Sequence, residues 1–191
     1  MATTPELHIL STPEDTAQAA TAFIASLARQ WIQAQGRFTI ALTGGSTPRR
    51  LYQILGSPPY AEQIAWDRWQ LFWSDERCVP PDHQESNYRM AKEALLDLVP
   101  LPADNIHRIR GEATPRDAAT EYEKAVRRVI PGARPVLDLV LLGMGEDGHT
   151  ASLFPGTDAL EEEHQLVVAN WVPHLQAHRI TFTLPLINAA S

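Results

Sequence analysis

Cysteine is almost absent. Cys78 is the only one in 191 residues, so no disulfide can form within the chain and a stapled secreted scaffold is excluded. Long apolar runs are missing as well, since nothing approaches the roughly 18 consecutive apolar residues of a membrane span. The opening Met1-Ala2-Thr3-Thr4-Pro5-Glu6 has neither the basic nor the apolar region of a signal peptide. Positive charge is short: 16 Lys and Arg stand against 23 Asp and Glu, a formal charge of −7, whereas a phosphate-backbone binder needs a basic face. No Cys/His cluster has metal-ligand spacing. The expectation is a cytoplasmic chain with no nucleic-acid partner, no membrane partner and no metal.

What is present is ordinary globular material. The length suits one domain with a proper core, and 44% hydrophobic against 20% charged residues excludes disorder and fibrous repeats. Leu7–Leu10 fits a short edge strand. Thr12-Pro13-Glu14-Asp15 has the form of a helix start, with Thr12 as N-cap and Pro13 at the first helical position. Ala20, Phe23, Ile24, Leu27, Ala28 and Trp31 then share one helical face, and Gly36 ends the helix. Strands are expected at Arg37–Leu42, Trp69–Ser74, Val136–Leu142, Leu166–Asn170 and Arg179–Leu184, with a shorter one around Ile106–Ile109. Val136–Leu142 is apolar enough to be covered on both faces. Helices are expected from Pro48 through Leu55, from Ser86 with Met90, Ala91, Ala94, Leu95 and Leu98 inward, and from Thr114-Pro115 through Val129. The alternation predicts an α/β fold with a mainly parallel sheet, its ligand edge at the loops that follow the strands.

Three of those loops carry unusual residues. Thr43-Gly44-Gly45-Ser46-Thr47-Pro48 offers a tight backbone, hydroxyls and a helix N-terminus, which suits either a phosphate cradle or a plain strand-to-helix turn. It lacks the Lys of a Walker loop. Trp73-Ser74-Asp75-Glu76-Arg77-Cys78 places three charges in a row after a buried strand; they either orient a polar substrate or form a solvated loop. Cys78 reads as a small hydrophobe, because nothing local marks it as a thiolate. Gly143 to Gly148 match G-x-G-x-x-G after a strand, but Pro155-Gly156 stop any helix within two turns, which excludes the dinucleotide crossover. A glycine-shaped loop remains, holding Asp147 and His149 at a strand end. Histidine is suited to proton transfer near neutral pH, and a carboxylate can orient it. His174 and His178 have i, i+4 spacing without the glutamate of a zinc-protease motif, and read as solvated or packing residues.

Taken together, the three loops resemble those of the 6-phosphogluconolactonase family. The resemblance is carried by Ala41-Leu42-Thr43-Gly44-Gly45-Ser46-Thr47-Pro48, Trp73-Ser74-Asp75-Glu76-Arg77, Glu85-Ser86-Asn87-Tyr88, the Leu139–Gly156 segment, and Arg179-Ile180-Thr181-Phe182-Thr183-Leu184-Pro185 with Asn188-Ala189-Ala190. It implies a Rossmann-like, three-layer α/β fold with helices on both faces of the sheet. It also implies cofactor-free hydrolysis of 6-phospho-D-glucono-1,5-lactone to 6-phospho-D-gluconate in the oxidative pentose phosphate pathway. By position, His149 would be the base that activates water, with Asp147 supporting it and Arg77 binding or polarising the lactone end. Thr43, Gly44, Gly45, Ser46, Asp75 and Arg179 would hold the phosphate or the ring hydroxyls.

Two rivals stand beside this expectation. Aminosugar-phosphate deaminase/isomerases resemble the same fold and share Asp-Gly-His, but continue it with Ala-Phe-Asn-Glu, where this chain has Thr-Ala-Ser-Leu-Phe-Pro after His149. A non-catalytic sugar-phosphate sensor would carry a DNA-binding helix pair ahead of the domain. The family resemblance further implies another strand and helices beyond Ser191, so residues 1–191 are expected to form a single lactonase domain lacking that segment, as a monomer or small homo-oligomer.

Overall fold

The computed structural model describes residues 5–191, and its first regular element follows directly from the capping chemistry. Helix α1 runs Pro13–Gln35; the Thr12 side chain accepts from the Asp15 N–H, and Gly36 closes the helix at φ 81°. Its buried face is Ala17, Thr21, Ile24, Ala25 and Ala28. Phe23 points outward instead, because the inward stripe passes through Ile24 and Ala28. Strand β1 (Phe38–Leu42) is wholly buried. Helix α2 (Ser46–Leu55) begins two residues before Pro48, which is tolerated because first-turn N–H groups have no intrahelical partner. A short helix α3 (Tyr60–Gln63) leads to strand β2 (Trp69–Trp73) and, one residue later, strand β3 (Asp75–Arg77).

Helix α4 (Asn87–Ala91) passes into a π-helical turn over Lys92–Leu96. The wider turn rotates the following residues, so Ala94 and Leu95 are buried while Leu98 faces solvent. Helix α5 (Pro115–Val129) starts at the Thr114 cap. Strands β4 (Leu139–Val140), β5 (Val167–Val172) and β6 (Ala177–Phe182) follow, then a single turn of helix α6 (Leu184–Ile187).

The expected parallel sheet is present, in the order β2-β1-β4. Leu42 lies opposite Trp73 in its register, and Ile40 opposite Leu139. A second sheet, β3-β6-β5, is antiparallel. The alternation of strand and helix does not announce it, because β3 follows β2 with no helix between them. Ser74 joins the two sheets: its N–H donates to the Leu42 carbonyl at 2.8 Å, and its own carbonyl accepts from the Phe182 N–H at 2.8 Å. Helices α1 and α2 pack on one another and α1 against β1, whereas α5 crosses β5 and β6.

Several expected strands are shorter or absent. Leu7–Leu10 forms no strand: it pairs with neither sheet and lies exposed. Around Ile106–Ile109 only Ile106 bridges, to Leu71. The Val136–Leu142 run pairs as a ladder only at Leu139–Val140, and Val136 and Leu142 are exposed, since its only strand neighbour is β1. Its Asp138 nevertheless ties three elements together. The carboxylate accepts from the Thr39 N–H at 2.7 Å and from the Gln35 amide at 2.9 Å, linking β1 to the end of α1.

Two buried tyrosines fasten the strand ends. The Tyr52 hydroxyl accepts from the Thr43 N–H at 3.0 Å and donates to the Thr43 carbonyl at 2.9 Å. Tyr122 does the same to Trp73, at 2.6 and 3.1 Å. Burial pushes both hydroxyls well above the usual tyrosine range, so both stay protonated donors. Tyr52→Phe removes one donor and one acceptor from backbone with no access to water, and should cost about 1–3 kcal/mol of unfolding free energy in urea. His107 gives a pH signature. It stacks on Phe72 at 4.7 Å, its Nε2 lies 2.7 Å from the Gln70 side-chain oxygen, and burial first, then the Arg128 charge, holds it down at about 4. The neutral ring stabilises the fold above the ordinary histidine value, and this contribution is lost as pH falls from about 6.5 toward 4. Urea midpoints across that interval should fall less steeply for His107→Gln than for the wild-type chain.

Candidate active site

The loop after β1 is shaped by what presses on it. A Cβ on Gly44 would stand 2.0 Å from Asn87 Oδ1, so only glycine lets the chain pass there. Gly45 sits at φ 114° as the N-cap of α2, and no side chain caps that helix. The positive end of α2 thus opens beside Gly44 and Gly45.

The second loop is strand β3, and its two acids have different surroundings. Glu76 is buried and spends its carboxylate on structure: it accepts from the N–H groups of Arg77, Asn87 and Tyr88 at 2.8 Å each and from the Ser86 hydroxyl at 3.0 Å. It therefore caps α4, and these bonds oppose the upward push of burial on its pKa. Asp75 is also buried but lines the cleft. It accepts from the Ser152 hydroxyl at 2.7 Å and the Asn87 amide at 3.2 Å. Burial raises its pKa; the Ser152 bond and the charges of Arg77, Arg179 and His149 act against that rise.

Arg77 and Arg179 are direct partners in the β3–β6 ladder, so their side chains leave the same face of the sheet; both line the cleft, and their charges act on one another. Among the described residues their side chains hydrogen-bond only to the carbonyls of Glu85 and His178. Burial, then the neighbouring Arg77, lowers the pKa of Arg179. Two adjacent cations without a carboxylate partner make a site suited to an anion with several oxygens.

The third loop holds a histidine–aspartate pair. His149 Nδ1 lies 2.5 Å from Asp147 Oδ1, and the His149 N–H reaches the same oxygen at 3.2 Å. The histidine contact lowers the Asp147 pKa, which keeps the carboxylate ionised and therefore an acceptor only. In the neutral imidazole the hydrogen accordingly belongs on Nδ1, and Nε2 carries the lone pair that can accept a proton. The backbone makes room for this: a Cβ on Gly145 would stand 2.2 Å from the imidazole, and Gly148 turns at φ 82°. Phe154 stacks on the imidazole at 4.1 Å between centroids.

All three loops meet around one cleft of about 670 Å³. Thr43, Gly44, Gly45, Asp75, Arg77, Asp147, His149 and Arg179, all singled out in the sequence, line it. Ser46 does not; it is exposed at the first position of α2. The cleft also takes in Asn87, Ser152, Phe154 and His174. His174 reaches it from the turn between β5 and β6, packing edge-on against Phe154 at 5.3 Å, whereas His178 packs on Trp171. No sequence signal marked His174, because its place depends on the β5–β6 pairing. No group of three or more metal-ligating side chains occurs among the described residues, and no helix there is long and apolar enough to cross a membrane.

Comparison with known proteins bears on this geometry. A family model described as glucosamine-6-phosphate isomerases/6-phosphogluconolactonase matches residues 11–191. The chain is 48% identical over 165 residues to a 6-phosphogluconolactonase of a Nostoc species, covering 84% of this chain and 66% of that protein. It is 45% identical over 151 residues to a 6-phosphogluconolactonase of Haemophilus influenzae, covering 79% and 64%. Among solved structures, a 6-phosphogluconolactonase from Trypanosoma cruzi superposes with a TM-score of 0.88 at 31% identity, over 100% of this chain and 78% of that one. The chain thus spans about two thirds of the length of these two curated relatives.

The Gly145 contact can be tested without any assumption about turnover. Gly145→Ala should displace the imidazole and abolish the downfield NMR signal of the Nδ1 hydrogen shared with Asp147. Because the loop is exposed, the unfolding midpoint should move by less than about 4 °C.

Proposed function

The chain belongs to the family of glucosamine-6-phosphate isomerases and 6-phosphogluconolactonases, and from that premise we propose that it hydrolyses 6-phospho-D-glucono-1,5-lactone to 6-phospho-D-gluconate. The observation that carries this reading is the meeting, in one cleft, of a histidine with a free Nε2 and an unpaired arginine couple. The relatives at 48% and 45% identity are both named 6-phosphogluconolactonase, which favours the lactone over an aminosugar substrate.

In this reading Nε2 of His149 takes a proton from water as the water oxygen attacks the lactone carbonyl. Asp147 holds the ring in the tautomer that leaves Nε2 available and stabilises the imidazolium that forms. Collapse of the tetrahedral intermediate breaks the ring ester bond, and the imidazolium returns its proton to the leaving ring oxygen. The ring opens to the hydroxy acid, and atoms and charge balance without any further reactant. Arg77 and Arg179 together bind the phosphate dianion, a reassignment of Arg77 from the lactone end that rests on its pairing with Arg179. The backbone at Gly44 and Gly45, beside the positive end of α2, and the buried Asp75 carboxylate face the remaining substrate oxygens.

His149→Ala should lower enzymatic lactone hydrolysis about 10²–10⁴-fold once the spontaneous reaction is subtracted. Arg77→Ala and Arg179→Ala should act mainly by raising KM. Turnover of glucosamine 6-phosphate with no acceleration of lactone hydrolysis would overturn the reading.

A further inference from the structure

The loop that carries His149 is bonded mostly to itself. Gly145 N–H donates to the His149 carbonyl at 2.9 Å, Gly148 N–H to the Gly145 carbonyl at 3.0 Å, and the Thr150 hydroxyl to the Gly143 carbonyl at 2.9 Å. Beyond Ala151 the chain becomes anchored. Ser152 bonds to Asp75 on β3, and its N–H donates to the Thr181 hydroxyl on β6 at 3.1 Å. Phe154 is 6% exposed. Its carbonyl accepts from the Thr157 hydroxyl at 2.7 Å, and the Asn170 amide on β5 donates to Thr157 Oγ1 and to the Ser152 carbonyl, both at 2.9 Å. Phe154 is thus fixed to the antiparallel sheet, while His149 sits on glycine-rich backbone.

The ring stack connects the two. An imidazole held only by its Nδ1 bond to Asp147 can still tilt about that bond, and Nε2 swings with it. The Phe154 face, 25° from parallel with the imidazole, removes that freedom. His174 supports Phe154 edge-on from the β5–β6 turn. We propose that Phe154, anchored to β5 through Thr157 and Asn170, is a positioning residue that sets the plane of the His149 imidazole and so aims Nε2 at the attacking water. The inference rests on His149 acting as the base. Phe154 moves no proton; its effect comes through geometry, and a misplacement of about 1 Å at such a centre can cost on the order of 10²-fold in rate.

NMR and kinetics on the 191-residue chain test this together. In the wild type, the Phe154 ring current should move the His149 ring protons upfield, and an Overhauser contact should join the two rings; absence of both overturns the proposal. Phe154→Leu keeps the site apolar but removes the flat face. It should return the His149 signals downfield and lower kcat about 10- to 100-fold, with KM within about threefold. Phe154→Tyr, which restores the face, should keep kcat within about threefold of wild type. A Leu variant with wild-type kcat, a loss confined to KM, or a Tyr variant as slow as Leu each overturns the proposal. If Phe154→Leu unfolds the chain, Phe154→Met makes the same comparison. A wild-type chain without lactone turnover would count against the lactonase reading, and the NMR shifts of the variants would then decide the positioning role alone.

Discussion

The structure turns on a change of partner at Ser74. Up to Trp73 the backbone runs parallel to β1; from Asp75 it runs antiparallel to β6. Ser74 serves both, with its N–H and hydroxyl on the Leu42 carbonyl and its carbonyl on the Phe182 N–H. Because β1 ends at Leu42, the residue of that contact, and the chain leaves toward α2, the sheets diverge and a fork opens. The cleft occupies the fork. Continuous pairing of β1 with the residues after Trp73 would fill the space where Gly44, Asp75 and Asn87 now converge.

Buried polar chemistry holds the fork open. Asp75 joins β3 to Ser152, Ser152 joins the histidine loop to Thr181 on β6, and Asn170 closes the circuit from β5 through Thr157. A buried network of this kind tolerates few vacancies, since each orphaned group costs its full desolvation. The cleft wall is therefore built from the same bonds that hold the antiparallel sheet to the loop, and movement at one should be felt at the other.

The sequence made much of this legible for local reasons. Thr12-Pro13 and Thr114-Pro115 mark helix starts because capping needs only four consecutive residues, and both caps are where those residues lie. His149 and Asp147 were visible because their bond spans two residues. What escaped is non-local. The antiparallel sheet follows from a three-residue strand with no apolar run of its own, and the pairing of Arg77 with Arg179 needs a register across about half the chain. Leu98 was misplaced because a π turn shifts the helical phase without any marker residue, and Leu7–Leu10 because alternation alone supplies no neighbouring strand. His174 is the exposed, packing histidine its spacing suggested, but that it also reaches the cleft depends on the β5–β6 turn, and Ser46 lies exposed at the start of α2, outside the cleft lining.

Glu76 is the nearest acid in sequence to Arg77, yet its charge is taken up by the first N–H groups of α4. Among the described residues the arginine couple forms no ion pair, and the charges of Asp75 and Glu85 only temper it, in a chain whose formal charge is −7. An approaching dianion would feel two regimes. At a distance it meets repulsion from the whole molecule, which salt screens over a Debye length of about 8 Å at physiological ionic strength. Within the cleft it meets two cations in a partly dry setting that salt screens far less. Added salt would therefore ease the encounter more than it weakens the hold, the reverse of the behaviour of a basic protein that steers its ligand in from afar.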